Sequence, residues 1–593
     1  MNNAVKVKGR RSGQSFIHGA MILTIGMAIV KVVGALFKVP LKSVIGEYGM
    51  GLFNIAYNFY GPIHSLAAAG LPIAISKMVS ECYSMGRYNE IRKIKSVSAP
   101  IFLCLGAAGT GLMLLGAPYY CREIIKNQSA VMPMLVLAPA VLFGCLGSIY
   151  RGYFEGLKNM YPTAVSEVIE AVSKLMLGLT ASIAVTLKLE EEYSISGTIF
   201  GQIMSSPDKA ALATLSFAAA AAILGITLGS LFSFLFLFIR FQKYGDEITS
   251  EMLKASPKAR SGRTIAKRLI QTAVPIAIGS VTVNIAGLID TTFLQKRLAQ
   301  VMENDPQTLL SMFQGNIPDM YLRHMETIPG FLFGCYSMAL TVYMIVPTIT
   351  QAFSISALPS IARLSVKNDR KKLGEGIEKV IRITALFSFP AGIGITATAP
   401  YISSLLYGDD MATPIVGSIL TLLGTAAAFA AISTPLSSML QAVGRSDIPV
   451  KLLLAAMGIK VGVNYVLCSI PSINVYGAAI GTLVCYLFLV IGQTIMLCKV
   501  TGVKISVKDA FLKPLLSALI CGGSAYAAAR LSEQAIPLSG RGLSAAVAFI
   551  SVAAGFVIYV LSLWATGTLS RSDLYLLPKG QKIMKILEKR SGI

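Results

Sequence analysis

The apolar part of this chain is written twice, and that duplication constrains the fold more than any single motif. The segment Thr24-Ile25-Gly26-Met27-Ala28-Ile29-Val30-Lys31-Val32-Val33-Gly34-Ala35-Leu36 returns as Ala277-Ile278-Gly279-Ser280-Val281-Thr282-Val283-Asn284-Ile285-Ala286-Gly287-Leu288-Ile289. Lys31 thus falls opposite Asn284, and Gly34 opposite Gly287. Later landmarks recur at a slightly larger offset. Leu71-Pro72 is matched by Leu358-Pro359, and Gly156, Pro162 and Lys174 are matched by Gly444, Pro449 and Lys460. Two copies of one apolar unit in one chain are the build expected of a secondary transporter, with its substrate at the seam between repeats.

The copies are too apolar for water. Hydrophobic residues make up 54% of the 593 and charged ones only 14%, against roughly 45–50% apolar content in soluble domains. Runs of about 20 residues, the length that crosses the hydrocarbon core as a helix, can be placed about fourteen times. The first two lie near 17–40 and 51–76, the fifth near 161–187, the eighth near 328–361 and the last pair near 510–531 and 543–565. Period-two alternation is absent, so an all-α bundle is expected rather than a barrel. It comprises two parallel six-helix repeats plus two extra C-terminal helices. The expected organisation is an N-terminal lobe over 1–243, a basic linker over 244–268, a C-terminal lobe over 269–500, and helices thirteen and fourteen with a basic tail over 501–593.

A formal net charge of +23 could suggest a nucleic-acid partner, but its distribution follows topology. With the N-terminus placed inside, most Lys and Arg fall on even-numbered loops and the two tails, the side that the positive-inside rule makes cytoplasmic. The basic stretches 240–268 and 363–382 lie inside on this count, whereas Glu190-Glu191-Glu192 and Asp409-Asp410 lie outside. A multi-pass plasma-membrane protein with both termini cytoplasmic is expected, with membrane lipids as partners and no nucleic acid. The nine cysteines sit mostly in apolar runs without a CxxC, and His18, His64 and His324 form no metal-ligand spacing, so neither a disulfide framework nor a metal site is expected. No P-loop or GxSxG occurs, and no enzymatic cofactor is implied.

Polar residues inside spans are costly and mark candidate sites. In the first span Lys31, Gly34 and Lys38 share one helix face at i, i+3, i+7. The second carries Asn54, Tyr57, Asn58, Gly61 and His64, then a Gly70-Leu71-Pro72 break able to kink the helix. The fifth holds Glu167, Glu170 and Lys174 on one face, and its counterpart, the eleventh, holds Lys460 and Asn464. Two readings stay open: ligands for a substrate, or lysine snorkelling, helix-helix hydrogen bonds and a structural Glu170–Lys174 pair at i, i+4. In the seventh span Asn284, Asp290 and Thr291 form a short polar face whose oxygens suit Na⁺ or proton coupling or, equally, an interface.

The run Tyr150-Arg151-Gly152-Tyr153-Phe154-Glu155-Gly156-Leu157-Lys158-Asn159-Met160-Tyr161-Pro162-Thr163-Ala164-Val165-Ser166-Glu167-Val168-Ile169-Glu170 resembles the fourth-to-fifth-helix signature of polysaccharide exporters and stage V sporulation protein B. These belong to the multidrug/oligosaccharidyl-lipid/polysaccharide flippase superfamily, which also holds the lipid II flippases. The resemblance implies V-shaped lobes and a groove formed by helices thirteen and fourteen for a polyprenyl tail. It implies a flippase that carries a polyprenyl-diphosphate-linked saccharide, such as a cell-wall precursor, from inner to outer leaflet, with wall-synthesis enzymes as further partners. Lys31 sits where lipid II flippases carry an Arg, and so does His64, six residues before Gly70; Lys38 falls near a third charged position. The chain departs from that pattern in lacking an eighth-span arginine. Two other classes stay open, a cation-coupled multidrug antiporter and a non-transporting scaffold for wall synthesis.

Overall fold

The computed structural model describes residues 16–246, 248–366 and 369–567, so the basic segments expected at the two termini lie outside the described residues. The helices run in the order α1 (Phe16–His64), α2 (Gly70–Ser84), α3 (Tyr88–Tyr119), α4 (Val131–Leu137), α5 (Pro139–Gly156), α6 (Tyr161–Ser196) and α7 (Pro207–Tyr244). They continue as α8 (Ser250–Ala255), α9 (Gly262–Asn304), α10 (Pro306–Met312), α11 (Asp319–Arg323), α12 (Ile328–Tyr343) and α13 (Ile345–Val366). The chain then forms α14 (Arg370–Tyr407), α15 (Thr413–Ala442), α16 (Asp447–Leu467), α17 (Tyr476–Thr501), α18 (Lys513–Ala535) and α19 (Gly540–Ala565). This is an all-α, multi-pass membrane protein. Among the described residues twelve helices are long and apolar enough to cross a membrane, all from Tyr88 onward. They fall where the third to fourteenth spans are expected; the runs at 17–40 and 51–76 lie on α1 and its continuation into α2, outside those twelve.

Prolines and glycines set the breaks. The connection expected between the first two runs shrinks to one residue, Gly46, whose φ of 59° and ψ of −172° interrupt α1. The Gly70-Leu71-Pro72 step does not end its helix. Pro72 cannot donate to the carbonyl one turn earlier, and the chain absorbs the misfit as a single π turn over Ser65–Ala69. The eighth run is two helices parted at Met344, because Pro347 offers no N–H to Tyr343. Between α6 and α7 a short antiparallel hairpin pairs Thr198 with Ile203. Its turn places both Phe200 and Gly201 at positive φ, the twist-matched geometry of two-residue hairpins.

The described residues pack as two compact units, the first formed by Phe16–Asn304 together with Asp319–Ser337, the second by Asp305–Pro318 together with Met338–Gly567. In unit 1, α6 lies along α7, and α1 packs on α6, α7 and α9. Lipid offers no hydrophobic drive for helix association, so close van der Waals contact between small residues must supply it. A Cβ on Gly225 of α7 would lie 2.5 Å from the Cα of Gly178 on α6, and one on Gly334 of α12 would collide with the Glu47 carbonyl of α1. In unit 2, α14 packs on α15, and α18 and α19 pack on each other and on α14 around Ile377, Ile381, Phe389, Leu436 and Met439.

Candidate polar site in unit 1

α6 turns Glu167, Glu170 and Lys174 to one side, as their i, i+3, i+7 spacing requires. That side closes a cavity of about 260 Å³ with Val30, Gly34 and Tyr57 of α1, Arg151 of α5 and Ile226 of α7. Close packing of α7 furnishes the hydroxyls: a Cβ on Gly229 would stand 2.8 Å from the Glu170 carbonyl, so no side chain separates the helices there. Ser230 next to it donates to Glu170 Oε1 at 3.1 Å.

The ion pair in this cavity is not the one expected along α6. Glu170 accepts from Arg151 Nη2 at 2.8 Å, and Arg151 also donates to Ser233 Oγ at 2.8 Å and, through Nε, to Ser166 Oγ at 3.2 Å. Lys174 instead lies over aromatic faces, 5.0 Å from the Phe37 ring centre, 5.7 Å from that of Phe53 and 5.5 Å from that of Tyr57, an arrangement that attracts a cation through the ring quadrupole. It is also near enough to Lys38 to interact with it electrostatically. Lys31 is exposed, one turn before the cavity-lining Gly34.

The other sequence-derived candidates separate. Asn54 is buried and donates to Met50 O at 2.8 Å inside its own helix. His64 stacks on Tyr60 with ring centres 4.9 Å apart and fits against Gly144 of α5, where a Cβ would approach its Cε1 to 2.5 Å; it is not a lining residue of the cavity. Asn284 donates to Ser65 Oγ at 2.8 Å and Asn58 donates to Thr291 Oγ1 at 2.8 Å, so this face of α9 is occupied by hydrogen bonds to the α1 side of unit 1. Asp290 is buried and accepts from Tyr336 at 3.2 Å. Among the described residues no three His, Cys, Asp or Glu side chains group as a metal site. Lys460 lies buried on α16, in unit 2.

Sequence reasoning missed Arg151 as a site residue, although it stands in the motif running to Glu170. The signal was a cation before Gly152, and Gly152 allows α5 to lie against Pro72, whose carbonyl would be 2.5 Å from a Cβ there. That contact carries Arg151 into the bundle rather than into a loop.

Comparisons with known proteins agree with this architecture. The model of the family "Polysaccharide biosynthesis protein" matches residues 16–302, and the MatE model matches 333–466. Stage V sporulation protein B of Bacillus subtilis (strain 168) is 23% identical over 570 residues, 95% of this chain and 98% of the relative. The lipid II flippase MurJ of the same organism is 23% identical over 520 residues, 85% of this chain and 87% of the relative. A solved lipid II flippase MurJ in an inward closed conformation superposes with a TM-score of 0.58 at 14% identity, over 91% of this chain and 98% of that one, and so shares its fold. Duplicated helical build, the two family models and full-length likeness together support membership of the multidrug/oligosaccharidyl-lipid/polysaccharide flippase superfamily.

Proposed function

We propose that this protein is a plasma-membrane flippase that moves a polyprenyl-diphosphate-linked saccharide of cell-wall type from the inner to the outer leaflet by alternating access, making and breaking no bond. The observation that carries the reading is the near full-length likeness to stage V sporulation protein B and to MurJ, the latter named a lipid II flippase. The polar cavity of unit 1 supports it. Arg151 pairs with Glu170 there and also acts on Glu167, so the two cations and two carboxylates of the lining balance, and Lys38 and exposed Lys31 on the adjoining helix supply the positive excess. Such an excess of cations suits a diphosphate, which would otherwise cross hydrocarbon unassisted at prohibitive cost. Na⁺, a proton or the membrane potential would drive the cycle, with Asn284, Asp290 and Thr291 the candidate coupling residues; the hydrogen bonds these residues already make weigh toward an interface role. Wall-synthesis enzymes are the natural partners.

A second reading, export of small organic cations, is favoured by Glu167 and Glu170 in the same cavity and by the MatE match. Depletion separates the two. Accumulation of a lipid-linked saccharide in the inner leaflet supports the flippase; unchanged precursor levels together with loss of organic-cation efflux support the exporter; neither effect supports a scaffold.

A further inference from the structure

Unit 2 contains a second charged cavity that the transport reading does not use. It holds about 690 Å³ and is lined by Arg370, Lys371, Glu375, Glu378, Lys379 and Arg382 of α14, closed by the turn Gly502-Val503-Lys504 that follows α17. Arg370, Gly374, Glu378 and Arg382 recur every fourth residue and so share one face of α14. Gly502 has a φ of +66°, a conformation that a side chain resists, and its Cβ position would be 3.5 Å from Arg370 Nη1. The turn can therefore fold tightly over the basic face only as glycine. Five cations meet two carboxylates here, and one of the carboxylates, Glu378, already accepts from the Ser506 backbone N–H at 3.4 Å.

Adjoining surface identifies the anion. Beyond the turn, Val507 is 63% exposed, and Leu512, Leu516 and Leu519 are 48%, 47% and 52% exposed. Leu512, which ends the turn leading into α18, and Leu516 and Leu519 on α18 follow one side of a helical stretch, Lys508–Ala535, that qualifies as a membrane span. An apolar row left uncovered on such a helix is solvated by acyl chains, so the basic cavity opens where charged surface gives way to lipid. Soluble phosphates have no use for that row, whereas a phospholipid would place its phosphate among the cations and its chains along the leucines.

We propose that this cavity, Arg370 to Arg382 with Lys504, is a binding site for the headgroup phosphate of an anionic membrane phospholipid, distinct from the polar site of unit 1. The proposal is independent of what the protein transports, since it requires no transport assay. Full-length protein in neutral detergent is titrated with dioleoyl-phosphatidylglycerol, with dioleoyl-phosphatidylcholine, or with inorganic phosphate, and thermal unfolding is followed. Phosphatidylglycerol should raise Tm well above the phosphatidylcholine response. The triple variant Lys371→Gln/Lys379→Gln/Lys504→Gln should need on the order of a hundredfold more phosphatidylglycerol for the same shift, the sum of the contributions of three basic residues near an anionic lipid surface. A control triple variant, Lys254→Gln/Lys258→Gln/Arg263→Gln, should respond like the wild type. Should the cavity triple fold poorly, Lys504→Gln alone, on an exposed turn, should still shift the titration in the same direction. An unchanged response in the cavity variants overturns the site, an equal loss in the control reduces it to unspecific charge, and an equal Tm shift from inorganic phosphate at matched concentration rules out a lipid.

Discussion

Arg151 of α5 and Glu170 of α6 form a 2.8 Å ion pair inside the helical bundle, and that pair rather than any contact along α6 organises the polar cavity. Ser166 and Ser233 fill further donor positions of the guanidinium, and Ser230 reaches the second carboxylate oxygen. A carboxylate so satisfied is a fixture of the site, which leaves Lys174 as the cation not tied to a carboxylate on its own helix.

This assignment predicts which mutations couple. Arg151→Gln and Glu170→Gln should each lower the thermal stability of the purified protein, and the double variant should lose clearly less than the two single losses together. The coupling energy should be about 1–2 kcal/mol, below the value for removing one member of a fully buried pair because both side chains here are partly accessible. A Glu170→Gln/Lys174→Gln cycle should give clearly weaker coupling, because Lys174 feels Glu170 only through space and not through a direct ion pair. Strong coupling in that second cycle would restore the pair along α6.

Much of this was legible in the sequence, and what was not has a common cause. The spans from the third onward and the shared face of Glu167, Glu170 and Lys174 are local periodicities, and one chain displays them. The partner of Glu170 is not local. An i, i+4 lysine is always a candidate, but Arg151 reaches the carboxylate only because Gly152 and Gly229 let neighbouring helices close in, and helix packing leaves no periodic mark. For the same reason Asn284 and Thr291 resemble ion ligands in sequence and turn out to be engaged by Ser65 and Asn58. The Gly46 break was missed because a single positive-φ glycine suffices where a loop seemed necessary.

Glycine at the α1–α12 crossing should be irreplaceable. A methyl group at Gly334 would meet the Glu47 backbone, and one at Gly51 would lie 2.5 Å from Gly330 O; neither neighbour is a side chain that can swing away. Gly334→Ala should cost at least about 1–3 kcal/mol and sharply reduce the yield of folded protein. Gly111→Ala on α3, where nothing lies within 4 Å of the added carbon, should be neutral or slightly stabilising. Equal yields of the two variants would refute the crossing.

The segment after α7 should detach in acid. Asp246 is buried, which by itself would raise its pKa, yet the hydrogen bonds from Arg92, Tyr153 and the Ile248 N–H outweigh burial and hold its carboxyl below the usual aspartate range. A depressed folded-state pKa means that the stabilisation is fully present above the unfolded value of about 3.9 and is lost as pH falls through the folded value. Limited proteolysis at Lys254 and Lys258 should therefore accelerate only below about pH 4 in the wild type, using an acid-active protease. Asp246→Asn should be cleaved readily at neutral pH and show little further change on acidification. Acid-dependent cleavage identical in both proteins would place the switch elsewhere.

Lys31 provides the sharpest test of the transport reading. Its side chain is exposed although it lies within the first apolar run, one turn from Gly34 at the cavity and two turns from Lys38. Among the described residues, truncating this exposed ammonium strands no structural partner, so Lys31→Ala should leave protein abundance intact. If the ammonium grips a diphosphate, its loss removes a charge-assisted contact of about 1.5–3 kcal/mol, or roughly tenfold to hundredfold in substrate affinity, and transport should fail. Lys31→Arg should retain part of the activity, because a guanidinium keeps the charge and can engage phosphate through two parallel bonds. Lys38→Ala should be milder, with Lys174 near enough to share its electrostatic role. The measurement is complementation of a depleted strain, with lipid-linked precursor quantified and protein level followed by immunoblot. Normal growth and normal precursor levels with Lys31→Ala at wild-type abundance would sink the cation-based mechanism, and the carboxylate-bearing side of the cavity would then carry the function instead.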